Sequence, residues 1–451
     1  MKRQSCKKFC RVLAGLLLLL GTAHAQFDGG AKENFDLENG LPPRDLAGTG
    51  ESTKVGLDIF TWTLGTKASL DVEGNPEWVD THGWVRGQAR TPVGDRYFAS
   101  LEGRLLFLPP WDHRATASHG EDGKDKKARL TGRLKKAVIQ ADYGGFNLSA
   151  GYQILVWGKA DASAITDVVS PRDREDLIFQ EVEDMRFGQW TLAGEVFSDR
   201  GSLQCFISPL AGTDRLPDPG HRYHVESKGK FREKKPTFGE VEAGIRLDLT
   251  HDKTELALMG GWFRINSPVI EESSTNGEAI LDQVYPEFAM AGLALSHVQG
   301  NFLLKTELAL KINYPLQGRA DSRFFYRRTE LADAALGVEF TSNDQTRLTL
   351  ELSHRHLFSP PKELTLDHRD QSALYLTLGK KFLRETLDLE YQFYYHLAHR
   401  DHCHGFKADY ELSDALEARF RYHCLGAGGP ATPLGPHRDE DRISLELIYH
   451  L

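Results

Sequence analysis

The sequence predicts an all-β chain: a transmembrane antiparallel up-and-down β-barrel of about 18 strands (16–18), with short turns at one end and long loops at the other. Three observations predict it. Apolar and polar residues alternate over many segments, connections alternate between tight and long, and an export signal precedes a chain with no long apolar run.

The export signal is residues 1–25. Lys2, Arg3, Lys7, Lys8 and Arg11 form a positive start, Val12 to Leu20 an apolar run, and Ala23-His24-Ala25 a small-residue cleavage site. The run is too short to span a bilayer, so it reads as a signal peptide cleaved after Ala25. Cys6 and Cys10 precede the apolar run, so neither stands where a lipoprotein site needs a cysteine. Removing the five basic residues of this segment leaves 50 basic and 64 acidic residues, a net charge of −14. Such a chain is unsuited to sequence-independent nucleic-acid binding. Beyond Ala25 no stretch reaches the roughly 18 uninterrupted apolar residues of a membrane helix. A barrel needs no such stretch, because only alternate residues of each strand meet lipid. Residues 26–53, rich in Gly, Glu and Asp, read as a periplasmic tail, and 54–451 as the barrel.

The alternation has period two. Ile443, Leu445, Leu447, Tyr449 and Leu451 interleave with Arg442, Ser444, Glu446 and His450, with Ile448 as the exception. Leu387, Leu389, Tyr391, Phe393 and Tyr395 interleave with Asp388, Glu390, Gln392 and His396. Phe302, Leu304, Leu308 and Leu310 surround Lys305, Glu307 and Lys311. A helix would scatter these charges around its axis, whereas a strand gathers them on one face.

The connections carry the second signal. Short turns are expected at 92–95, 143–145, 198–201, 250–253, 298–299, 342–345, 383–385 and 413–415. Long loops are expected at 110–127, 159–186, 210–236, 266–282, 312–328, 357–371, 398–404 and 426–440. The first strand falls near 54–64, and 202–209 is a further strand. A soluble β-sandwich also alternates, but it has no reason to keep its long loops on one side through so many hairpins.

The chain's end, with Tyr449 third from last and Leu451 last, resembles the assembly signal of bacterial outer-membrane barrels, where the usual last residue is Phe. Residues Gly151-Tyr152-Gln153-Ile154-Leu155-Val156-Trp157-Gly158-Lys159-Ala160-Asp161, followed by Thr166-Asp167-Val168-Val169-Ser170-Pro171-Arg172-Asp173, resemble a segment of an uncharacterised porin-like and alginate-export-like family. In diffusion porins the third long loop folds into the lumen and narrows it, and the resemblance implies the same for 159–186.

That loop holds eight acids, among them Asp161, Asp167, Asp173, Glu175 and Asp176, against four basic residues. Loops of this length are usually functional or disordered. On the neighbouring strands alternation turns Arg86, Arg90, Arg96, Arg104, Arg129, Arg133 and Lys135 inward with one acid, Glu102. Placing them toward lipid would cost up to ~2–4 kcal/mol each. The expectation is a basic wall facing an acidic constriction loop, which sets a transverse field. The last strands turn Asp388, Glu390, Asp409, Glu411, Glu417 and Glu446 inward beside Lys407, Arg419, Arg421 and Arg442, so the lumen is mixed in sign.

Three cysteines follow the signal segment. Cys403 and Cys424 fall at one level across a hairpin, and a disulfide between them is expected, although strict alternation sets them on opposite faces. Cys205 has no evident partner. Histidines 399, 402, 404, 423 and 437 crowd the same region without recognised ligand spacing, so neither metal nor cofactor is expected. There is no Gly-x-Ser-x-Gly or His-Glu-x-x-His, and Ser353 and His354 point to opposite faces of a strand, so the reading is not an enzyme.

The function expected is an outer-membrane porin-type channel for small polar or charged solutes. One alternative is an export barrel for an acidic polysaccharide, and another is a structural barrel that sheathes a partner protein. The surroundings would be outer-membrane lipid and lipopolysaccharide, with small solutes or a polyanionic polymer as cargo. A periplasmic partner and a homotrimer are both compatible with this reading.

Overall fold

The computed structural model describes residues 59–72, 77–110, 112, 128–163, 165–175, 185–217, 230–275, 278–320, 323–360, 364, 368–438 and 440–451. The expected signal peptide, the tail at 26–53 and Asp176 lie outside these residues.

Twenty-one strands occur among the described residues. They begin with β1 (Ile59–Asp71), β2 (Glu77–Pro92), β3 (Tyr97–Leu108), β4 (Arg129–Asp142), β5 (Phe146–Gln153), β6 (Gln189–Ser198) and β7 (Gly201–Ser208). Then come β8 (Lys230–Glu233), β9 (Glu242–His251), β10 (Thr254–Arg264), β11 (Val269–Thr275), β12 (Glu278–Val284), β13 (Glu287–Gln299) and β14 (Phe302–Ala320). The last are β15 (Arg323–Thr341), β16 (Thr346–Leu357), β17 (Asp370–Phe382), β18 (Leu387–His396), β19 (His402–Ser413), β20 (Leu416–Gly426) and β21 (Arg442–His450). Eighteen of them form one antiparallel sheet that closes on itself where β1 pairs with β21, from Thr63 opposite His450 to Asp71 opposite Arg442. The other three, β8, β11 and β12, make a small separate sheet with β8 parallel to β12. In that sheet, hydrogen bonds from Arg232 and Lys234 hold the Asp282 carboxyl well below the usual carboxylate range.

The barrel is apolar outside and polar inside, the reverse of a soluble core. On β16, Leu348, Leu350 and Leu352 are 40–48% exposed, while Glu351 between them is 2% exposed. Outward aromatics gather at both ends. Tyr97, Tyr143, Phe302, Tyr410 and Tyr449 lie near the short turns, and Phe107, Trp190 and Trp262 near the long loops. Such girdles mark the two polar interfaces of a membrane barrel. No helix among the described residues is long and apolar enough to cross a membrane.

The eight short turns fall at or within two residues of their expected places. The long connections differ more. The first strand is β1 at 59–71 rather than 54–64, and only 72–76 separates it from β2. The expected loop at 266–282 contains the hairpin of β11 and β12. The expected loop at 312–328 is instead a continuation of β14 and β15, which pair out to Ala320 and Arg323. Asn313 and Pro315 suggest a break there. The chain answers with a register shift between Lys311 and Tyr314, with Asn313 at φ 57°, and the ladder resumes. Ile448, the exception to alternation, keeps its inward position. It is 2% exposed and packs with Trp84, Leu106 and Leu108, an apolar patch on the inner wall.

The expected loop at 159–186 starts earlier. β5 ends at Gln153 and β6 begins at Gln189, so the connection runs from 154 to 188. Gly151 prepares the exit. Its φ is +139°, and a Cβ there would lie 2.2 Å from the carbonyl oxygen of Ala137 on β4. Only glycine fits. Gly151→Val is expected to block barrel assembly, read as loss of the heat-resistant band on a semi-native gel. Wild-type yield of that band would refute the steric argument.

Candidate functional site

The connection from β5 to β6 lies against the inner wall, and its contacts are those of a packed element. Trp157 is fully buried. Its ring meets Phe206 of β7 and Phe263 of β10 edge-on, at centroid distances of 5.3 and 5.7 Å. Its indole N–H donates to Gln204 Oε1 at 3.0 Å. Leu155, Ile165 and Val169 join the same apolar cluster with Ala257, Met259, Phe288 and Met290 of the wall.

Carboxylates on the wall then hold the loop backbone. Glu307 of β14 is 1% exposed. It accepts from the amides of Lys159, Ala160 (2.7 Å) and Thr166 (3.1 Å), and from the Thr166 hydroxyl (2.9 Å). Glu351 of β16 accepts from the amides of Asp161 (2.7 Å) and Ala162 (3.3 Å). Arg246 of β9 donates to the carbonyls of Val156 and Trp157, at 3.2 and 2.9 Å. Ser170 closes the loop on itself, accepting from Leu155 N and donating to Leu155 O.

The sequence-predicted acids among the described residues, Asp161, Asp167, Asp173 and Glu175, are all occupied. Asp161 accepts from Lys305 of β14 at 2.8 Å, and Lys305 also binds Glu339. Asp167 pairs with Arg172 and Arg186, both within the loop, at 2.7 and 2.9 Å. Asp173 and Glu175 share Arg133 of β4, at 2.6 and 2.7 Å, and Arg215 adds a second contact to Glu175 at 2.8 Å.

The predicted basic residues therefore divide. Arg133 and Lys135 hold the loop, Lys135 through the carbonyl of Arg186 at 2.9 Å and the ring of Phe187. Arg86 pairs with Glu102 at 2.7 Å. Arg90 lies over the ring of Phe98 and Arg104 over the ring of Trp84. Arg129 opens β4 opposite Leu108. Arg96 sits in the exposed turn between β2 and β3, over the outward Tyr143 ring, and so is not part of the wall. A register shift opposite Glu102 and Gly103 skips Lys135, so the residue paired with inward Glu102 is Lys136. Alternation alone misses that lysine.

Of the expected basic wall, Arg133 and Lys135 meet the loop, while Arg86, Arg90 and Arg104 lie on other partners. Loop acids and wall bases are in contact, and the loop is held by residues of β4, β7, β9, β10, β13, β14 and β16. The wall from β17 to β21 and on through β1 to β3, together with the short-turn end of β16, takes part in none of these contacts. It carries a chain of ion pairs: Arg347 with Asp388 (2.7 Å), Lys407 with Glu390 (3.9 Å), Arg421 with Asp409, and Arg419 with Glu417 (2.7 Å). Both signs appear along it, as the sequence indicates.

The neighbouring long loops brace the first. Asp214 accepts from the amide of Arg172 at 2.7 Å and binds the Arg174 side chain, while its own amide donates to Asn266 O. Tyr285, beside Glu233 and Asp214, has its hydroxyl pushed well above the ordinary phenol range, first by burial and then by the nearby carboxylates. Glu307, Glu351, Lys305, Arg246, Asp214 and Arg215 also belong to this arrangement, and sequence reasoning assigns none of them to the site.

No disulfide joins Cys403 and Cys424. The register pairs Cys403 with Leu425 and His404 with Cys424, one step off. One step reverses the face. Cys403 turns inward beside Leu425, Tyr394 and Leu434, while Cys424 turns the other way. Cys205 is exposed on the outward face of β7.

No protein-family model and no curated protein sequence matches the chain. Solved structures do. OpdK of Pseudomonas aeruginosa, determined with vanillate, aligns at a TM-score of 0.52 and 12% identity, over 88% of this chain and 99% of that one. OccAB1 of Acinetobacter baumannii aligns at 0.52 and 8% identity, over 87% and 95%. OccD3 (OpdP) of Pseudomonas aeruginosa aligns at 0.50 and 10% identity, over 88% and 91%. At these identities the likeness is one of fold: a porin-like outer-membrane barrel.

Proposed function

We propose that the protein is an outer-membrane channel through which small polar or charged solutes pass between the seated loop and the ion-paired wall. Residues 1–25 would direct export and 26–53 would remain as a periplasmic tail, with the short turns periplasmic and the long loops extracellular. The observation that carries the reading is the loop from β5, pinned to one inner wall by Trp157, Glu307, Glu351 and Arg133. A loop held in this way would narrow the lumen and so set a size limit on what passes. The ion-paired wall offers alternating charges, which suit small solutes better than a long polyanion needing an unbroken basic track.

Planar-bilayer recording of the refolded protein tests this. Steady open channels are expected, with conductance reduced by small polar or aromatic acids, vanillate among them. A folded barrel that never conducts would overturn the reading, and block by acidic polysaccharide alone would move it to polymer export. Neutralising Arg86 and Arg90 together with glutamine is expected to shift the reversal potential toward cations, by roughly twofold in permeability ratio. An unchanged potential would remove β2 from the ion path.

A further inference from the structure

We propose that His354, His356 and Asp370 form a divalent-metal site of the zinc class on the outward face of the barrel, just beyond its apolar band at the long-loop end. The inference rests on the barrel wall alone and is independent of whether the lumen conducts.

The placement follows from the strands. On β16 the outward positions run Leu348, Leu350, Leu352, His354, His356, so the two imidazoles stand side by side where the leucines stop. The antiparallel register sets Asp370 of β17 opposite His356 and Ser372 opposite His354. One imidazole nitrogen from each histidine and one Asp370 oxygen all lie within 4.8 Å of one another.

The distances suit an ion. Zinc bonds nitrogen and carboxylate oxygen at ~2.0–2.2 Å, so at a tetrahedral angle two such ligand atoms sit roughly 3.3 Å apart. Asp370 Oδ1 is 2.7 Å from His356 Nδ1 and 3.6 Å from His354 Nε2, values on either side of that spacing. An ion would draw the imidazoles and the carboxylate to a common spacing, which side-chain rotation can supply at these exposed positions.

The rings are also oriented. His354 Nδ1 lies 2.8 Å from Ser372 Oγ. A neutral His354 that donates this N–H turns the Nε2 lone pair toward Asp370, the outer-shell arrangement that orients metal-bound histidine. The His356 ring packs edge-on against Phe358, with centroids 5.2 Å apart. Asp370 is 57% exposed on its side chain, which leaves further coordination positions open to water or an external ligand. A carboxylate with two imidazoles favours a borderline cation over calcium or magnesium, which prefer all-oxygen shells.

The test is calorimetric titration of the detergent-folded full chain with zinc chloride. One equivalent is expected to bind, with affinity reduced tenfold or more in His354→Ala/His356→Ala and in Asp370→Asn. Cobalt(II) substituted into the wild-type barrel should give the visible absorption of a tetrahedral site. All three side chains point away from the barrel interior, so the variants are expected to keep wild-type heat-modifiable mobility. If a variant does not fold, the cobalt spectrum of the wild type decides. No saturable zinc equivalent, unchanged affinity in the folded double variant, or an octahedral cobalt spectrum would each overturn the proposal.

Discussion

Glu307→Ala is expected to raise single-channel conductance by about twofold and to make the current noisy. Glu307 receives three backbone amides and one hydroxyl from the loop between β5 and β6. Hydrogen bonds to a charged group contribute ~1.5–3 kcal/mol each, so this carboxylate is the strongest single tie on that segment. Alanine leaves those donors buried without an acceptor, and the loop gains by leaving the wall for water. Glu307→Gln separates charge from shape. An amide oxygen can still accept, but more weakly, so an intermediate conductance is expected. Glu351, which receives two amides, should show the smaller effect when changed to alanine. Conductance unchanged in Glu307→Ala would mean that the remaining ties, from Trp157, Glu351, Arg246 and Arg133, keep the loop seated without it.

Arg133→Ala is expected to destabilise the folded barrel by about 3–5 kcal/mol, because it strands two buried carboxylates. Asp173 is fully buried and Glu175 nearly so, and Arg133 binds one oxygen of each. Arg215 still reaches Glu175, which keeps the loss toward the low end. Asp173 has no second basic partner in the structure's ion pairs among the described residues, so it bears most of the change. The urea midpoint of unfolding from micelles should fall in Arg133→Ala and recover in part in Arg133→Ala/Asp173→Asn. A fall of equal size in both would place the effect on Arg133 packing and not on the stranded charge.

Much of the wall was legible in the sequence, because a strand with lipid on one side and water on the other must alternate. The last strand shows it: Leu445, Leu447 and Tyr449 face out while Ser444 and Glu446 face in. Loop boundaries were less legible, for a physical reason visible at Ile154-Leu155-Val156-Trp157. An apolar run reads as a strand continuing, yet Trp157 buries itself inside the barrel against Phe206 and Phe263. Hydrophobicity does not distinguish lipid from an inner cluster. The anchoring carboxylates were hidden more deeply. Glu307 meets Thr166 across 141 residues, and no local pattern reports such a pairing. The disulfide fails on the alternation that the sequence already shows: the ladder sets Cys424 opposite His404, one step from Cys403, and one step reverses the face.

The seam between β1 and β21 has a consequence for biogenesis. The Ser69 and Ser444 hydroxyls meet there at 2.8 Å although 375 positions separate them in the chain. Until that junction zips, two strand edges with unpaired amides are open to any neighbouring chain. The contact that completes the cylinder therefore spans nearly the whole polypeptide, which makes it slow to reach by diffusion alone. Closure must wait for the last strand to arrive, so loss of even the final β21 residues would leave an adhesive half-open sheet in place of a slightly smaller barrel.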